Sequence, residues 1–255
     1  MSGSTGRWPA LCLAAVIATM LSACNNGAGV PGTASNNLVP PVSQGASAFG
    51  LTPEKLSPIN TYPGATFGEP GMFKPKEGDT TAGGHGSKVD GIPCDKMEYL
   101  NDYHVHGYLG IVYRGKQIAL PTAIGLIRPG PKDDGYVTTA GCYYFIHTHD
   151  SSGIVHVENK INLPPTATVH PWSAVFDIWG VKLTSTSFGP LKGDIRAFVG
   201  NVPQIGDVTV NSYSQIGVDD AGALKIRSHE VLWLVIDSPS IDASRLPPVT
   251  FYMEY

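Results

Sequence analysis

An all-β fold, a sandwich or barrel of antiparallel strands with one short helix, is what the sequence predicts. Three observations carry it. Apolar and polar residues alternate with a period of two through Tyr103–Tyr113. Further short apolar stretches recur toward the C-terminus, separated by turn residues. Thirty glycines and twenty-one prolines in 255 residues also leave little room for long helices.

The alternation sets Tyr103, Val105, Leu109, Ile111 and Tyr113 against His104, His106, Tyr108 and Arg114, as in a half-buried strand. Arg114-Gly115-Lys116 reads as a hairpin turn into a strand over 117–120. Further strands are predicted over 142–149, 154–158, 195–199, 208–210, 230–236 and 249–255. The helix is predicted over 172–179. There Trp172, Val175, Phe176 and Trp179 fall at i, i+3, i+4 and i+7, and Gly180 supplies the stop. Its aromatics read as core rather than as a cofactor box.

A hydrophobic content of 42% against 15% charged residues is enough for a sizeable core, and a formal charge of -4 argues against a nucleic-acid partner. The chain divides into residues 1–23, a signal peptide; residues 24–88, a flexible tether rich in Gly, Pro and Asn, in which the scattered Tyr62, Phe67, Met72 and Phe73 allow part to pack as an irregular arm; and residues 89–255, a His-rich β domain. The apolar run Leu11–Leu21 is too short for a comfortable membrane span. From Asn25 to Leu51 no side chain is charged, a composition that buries too little surface to offset chain entropy.

The end of the apolar run, Leu21-Ser22-Ala23-Cys24, resembles the lipobox of bacterial lipoproteins. The resemblance implies cleavage before Cys24, diacylglycerol on its thiol, and a domain held outside the cytoplasm with a membrane as partner through the lipid. Asn25 stands where the inner-membrane retention signal of such proteins has Asp, which favours the outer membrane in a Gram-negative host. Acyl chains contribute about 0.8 kcal/mol per buried methylene, so lipid alone can hold the chain.

Removing Cys12 with the leader and Cys24 to lipid leaves Cys94 and Cys142 in an oxidising compartment, where a disulfide is the leading reading. The rival is metal ligation by one of them. Parity argues against that for Cys142, which on a regular strand points away from the face of His147 and His149.

Of eight histidines, five sit in three short clusters: His104-Val105-His106, His147-Thr148-His149 and His156-Val157-Glu158. Residues two apart on a strand share a face, so each pair projects its donors together. Asp150-Ser151-Ser152-Gly153 is a good turn, which makes 142–158 a hairpin with His149 opposite Ile154, His147 opposite His156 and Phe145 opposite Glu158. A neighbouring strand 103–113 would add His104 and His106. The predicted metal ligands are therefore His104, His106, His147, His149, His156 and Glu158. Five imidazoles with a carboxylate suit copper or zinc, and they exceed what one tetrahedral ion needs, so some orient others, or two ions bind, or one cluster stands apart. The bland alternative is a solvated polar sheet face. His85, His170 and His229 are isolated and read as structural or surface residues.

The HxH pair is similar to that of cupins, but Gly107-Tyr108-Leu109-Gly110 lacks their following glutamate. It is also similar to the HxHG of copper–zinc superoxide dismutase, whose other ligands have no counterpart here. Tyr103–Leu109, His147–Asp150, Gly153–Glu158 and Val175–Gly180 resemble the HxHxHL, HTHD, GxxHxE and FFDIWG segments of a His-rich group of secreted bacterial and archaeal proteins. Tyr108 replaces the third histidine, and no activity comes with the resemblance.

Three functions compete: a metal-binding lipoprotein that buffers copper or zinc or delivers it to a metal-handling partner; a metalloenzyme with Glu158 or Asp150 as general base; and a structural or adhesive lipoprotein with incidental histidines. No HExxH helix, GxSxG elbow, phosphate loop or Cys/His nucleophile is present, so the sequence leaves enzyme status open.

Overall fold

The structure, a computed structural model, describes residues 56–73, 84–100, 103–160, 169–204 and 206–252. The predicted signal peptide, Cys24 and the first part of the predicted tether lie outside the described residues. In chain order the first strands are β1 (Ile59–Thr61), β2 (Cys94–Asp95), β3 (Tyr103–Tyr113), β4 (Lys116–Ile118), β5 (Leu126–Ile127) and β6 (Lys132–Asp133). Then come β7 (Tyr136–Val137), β8 (Cys142–Tyr144), β9 (Ile146–His147), β10 (Ile154–Asn159), β11 (Leu183–Thr184) and β12 (Ser187–Phe188). The last are β13 (Leu191–Lys192), β14 (Ile195–Gly200), β15 (Val208–Val210), β16 (Ser214–Ile216), β17 (Glu230–Ile236) and β18 (Val249–Phe251).

The fold is all-β and antiparallel-rich. A seven-stranded sheet runs β16-β14-β17-β3-β10-β9, with β4 also paired to β3, and a three-stranded sheet runs β1-β18-β15. Among the described strands, β3 pairs with β17 and β1 with β18 in parallel. Every residue of β17, Glu-Val-Leu-Trp-Leu-Val-Ile, is buried, because this strand is central and covered on both faces.

Period-two alternation feeds two cores. On one face Leu109, Ile111, Val155, Val157, Leu232 and Leu234 pack against helix α1 (Trp172–Trp179), which buries Trp172, Val175, Phe176 and Trp179. On the other, Tyr108, Val112, Ile154, Val231, Trp233 and Val235 pack against Ile59, Val208, Val210, Val249 and Phe251 of the small sheet, completing a sandwich. Burying each large apolar side chain contributes about 1.5–3 kcal/mol.

Helix α1 ends where predicted. Gly180 takes a left-handed φ of 81° and its N–H returns to the carbonyl of Phe176. A second helix, α2 (Val218–Ala223), follows β16 and has no periodic signal long enough to read in the sequence. Two glycines of β3 make the packing possible. A Cβ on Gly110 would stand 2.2 Å from the ring of Trp233, its partner across the parallel pairing, and one on Gly107 would stand 2.8 Å from Ile226 and 3.2 Å from Trp172.

The folded unit reaches back beyond Val89. β1 pairs with β18, Ile59 is fully buried, and Phe73 packs on Trp179 with ring centroids 4.6 Å apart. Composition alone suggested tether because Gly and Pro dominate this stretch, but Ile59, Ala65 and Phe73 dock while Tyr62 stays exposed. The predicted hairpin also differs in detail. β8 and β9 are separate at Phe145, and after His147 the chain leaves the ladder to form a buried loop over Thr148–Gly153.

Candidate metal centre

The register of three strands builds the site. His156 of β10 faces His147 of β9 on one side and His106 of β3 on the other, while Glu158 faces His104. A row of three imidazoles thus crosses the sheet, with a histidine–glutamate pair in the next row. Their parity places all five side chains on the face that carries Tyr108 and Ile154. His149 lies beyond β9, where the predicted partnership with Ile154 is replaced. Its carbonyl accepts from Val137 N–H (3.1 Å), and the chain bends so that its ring turns back toward His147.

His147 and His149 are held as ligands are. The Nδ1–H of His147 donates to the Tyr144 carbonyl (2.8 Å) and that of His149 to the Val137 carbonyl, which in the neutral rings selects the tautomer whose Nε2 is an acceptor. Those Nε2 atoms are 3.0 Å apart. Tyr136 stacks on His149, with planes 8° apart and centroids 4.5 Å apart, and the edge of Tyr143 meets His147. All of these residues except Tyr136 are buried.

A carboxylate absent from the sequence prediction completes this half. Glu98 Oε1 lies 3.1 Å from His149 Nε2 and 3.4 Å from His147 Nε2. The disulfide Cys94–Cys142, with Cα atoms 5.4 Å apart, and the pairing of Cys94 with Tyr144 deliver the segment that carries it. Only its position four residues after Cys94 hinted at this. On the other side, Nδ1 of His156 is 3.2 Å from Nε2 of both His104 and His106. Glu158 Oε1 sits between the halves, 3.3 Å from His104, 3.5 Å from His156 and 3.8 Å from His147.

Donors bound to one zinc at about 2.0–2.1 Å in tetrahedral array are roughly 3.3–3.4 Å apart, so these spacings suit a coordination shell. The buried oxygens Oε1 of Glu98 and both of Glu158 have no hydrogen-bond partner, and acceptor nitrogens beside such oxygens suit a cation. This buried His/Glu group can hold a metal ion.

The electrostatics agree. Burial, together with neighbouring imidazoles, pushes His106 down to about 3 and His156 well below the ordinary range; burial also lowers His104, against the pull of Glu158. These three rings are neutral at neutral pH. Burial opposes charge on His147, yet Glu98 and Glu158 beside it raise its affinity for a proton. Burial likewise opposes charge on Glu98, yet His147 and His149 hold it at about 2.

No protein-family model, curated protein or solved structure matches the chain.

The remaining sequence candidates go elsewhere. Asp150 ties down its loop, its two oxygens accepting from the N–H groups of Ser152 (2.9 Å) and Gly64 (2.8 Å). Cys142 is in the disulfide and supplies no thiolate. His170 meets Asn159 (3.3 Å), His85 is exposed, and His229 packs on Phe251 while its N–H donates to the carbonyl of His106 (2.8 Å). His104 and His106 also wall a cleft of about 460 Å³.

Proposed function

We propose that the protein is an extracytoplasmic lipoprotein, anchored through Cys24, that binds copper or zinc at the histidine cluster for buffering or for delivery to a metal-handling partner. The convergence of the Nε2 atoms of His147 and His149 on Glu98, with both Nδ1–H groups committed to carbonyls, is the observation that supports metal binding most directly. Soft thiolates are absent from the donor set, and imidazole with carboxylate favours these borderline ions.

The lipid anchor rests on Leu21-Ser22-Ala23-Cys24 after its apolar run. Among the described residues no helix is long and apolar enough to cross a membrane. The anchor is tested by Cys24→Ser, which should move the protein from the membrane to the soluble fraction. Metal binding is tested by thermal melts. Zinc or copper should raise Tm in the wild type and leave His147→Ala/His149→Ala unchanged, because only an ion bound by the native state shifts the equilibrium.

The cleft beside His104 and His106 favours a second reading, a metalloenzyme whose ion keeps a position open to a substrate. Glu158, buried between the two halves, is then the candidate base.

A further inference from the structure

The five imidazoles and two carboxylates outnumber the ligands of one ion. Donor atoms on a single ion with bonds of about 2.1 Å lie at most about 4.2 Å apart. The candidate donors fall into two groups that share His156, one of His147, His149, His156 and Glu158 and one of His104, His106 and His156, with the atoms of each group within 4.8 Å of one another, and Glu98 adds an oxygen 3.4 Å from His147 and 3.1 Å from His149.

The two ends also differ in surroundings. His147 and His149 are 1% and 3% exposed, their rings are locked by carbonyls and by Tyr136, and Glu98 is brought over them by the disulfide-stapled segment. The other end is open, since His104 is 18% exposed and, with His106, forms a wall of the cleft that Asn201, Gln204, Arg227 and His229 also line.

We propose that the centre holds two divalent transition-metal ions in unlike positions. The closed position uses His147, His149 and Glu98, whose donor atoms are 3.0–3.4 Å apart; the open one uses His104, His106 and His156 at the mouth of the cleft. Glu158, 3.3 Å from His104 and 3.8 Å from His147, stands between them and balances charge on both. This rests on the metal-binding reading and adds to it a division of labour. The closed ion is retained, and the open one exchanges with solutes that enter the cleft.

Calorimetric titration of the purified full chain with Zn²⁺ alone tests it. Two ions per chain are expected, the second weaker by at least tenfold. One ion per chain would overturn the two-position proposal and leave metal binding standing; none would overturn both. In His104→Ala/His106→Ala the stoichiometry should fall from two to one with the near-UV circular dichroism intact. Loss of both ions from a folded double variant would contradict separate positions. Should that variant unfold, the wild-type stoichiometry alone decides.

Discussion

His147 and His156 face each other across the antiparallel pairing of β9 and β10, their rings within 2° of parallel and their centroids 5.6 Å apart. Two polar rings stacked in a buried sheet, each beside a buried carboxylate, form an arrangement that folding alone does not favour. Paired apolar residues would stabilise the sheet more, since a buried polar group costs about 1–3 kcal/mol when unsatisfied. A metal ion on those nitrogens would supply the missing interaction.

The protonation pattern sets how many protons a metal displaces. Burial lowers the proton affinity of His104, His106 and His156, whereas for His147 the neighbouring Glu98 and Glu158 outweigh burial and raise it. Metal binding near pH 6.5 should therefore release fewer protons than the five that an all-charged cluster would give. Calorimetry in buffers of different ionisation enthalpy measures this number.

Acid should destabilise the metal-free protein. A buried histidine whose folded pKa is depressed stays neutral in the native state while the unfolded chain takes up the proton, so its contribution is lost as pH falls below about 6.5. His106, at about 3 when folded, and His156 both act in this sense. The Glu98 carboxylate, at about 2, adds stability above its unfolded value near 4.5 that is lost as pH drops toward 2. Tm of the apo protein should therefore decline steadily from pH 6.5 to pH 4, and His106→Phe should flatten that slope.

Glu230 works in the opposite direction. It is 3% exposed on the helix side of β17, and burial raises its carboxyl to about 7 against a weaker pull from Arg227. A carboxyl raised on folding costs nothing below pH 4.5 and an increasing amount from there to pH 7. Glu230→Gln should stabilise the protein at pH 8 by about 2 kcal/mol and leave it unchanged at pH 4. Denaturant melts at the two pH values check the sign.

The disulfide should matter to both stability and site. A bridge with a sequence separation of 48 contributes about 4 kcal/mol in the chain-entropy model, an upper figure in practice. Cys94→Ser/Cys142→Ser should lower Tm by several degrees. It should also weaken metal affinity at least tenfold by loosening Glu98, although neither cysteine touches the histidines. Affinity measured below the variant's melting range separates the two effects.

Much of this was legible because β-structure writes itself in a period of two. β3, β17 and helix α1 occupy the residues predicted for them, and β10 matches to within one residue. The pairing of His147 with His156 followed from counting outward from Asp150–Gly153, and it survives although the loop around that turn is wider than a simple hairpin. Glu98 was not legible because it lies on an irregular segment, placed by a crosslink and a two-residue pairing rather than by any local pattern. The parallel partnership of β3 with β17 was equally hidden, since about 120 residues of chain separate strands whose alternation is compatible with either direction. Residues 56–73 looked like tether because local composition says nothing about the distant strand that receives Ile59.

Elemental analysis of the purified chain after exposure to zinc or copper tests the central claim most directly. The histidine cluster predicts stoichiometric metal in the wild type and none in the folded His147→Ala/His149→Ala variant. A wild type that stays metal-free, or a double variant that binds as much as the wild type, would contradict it.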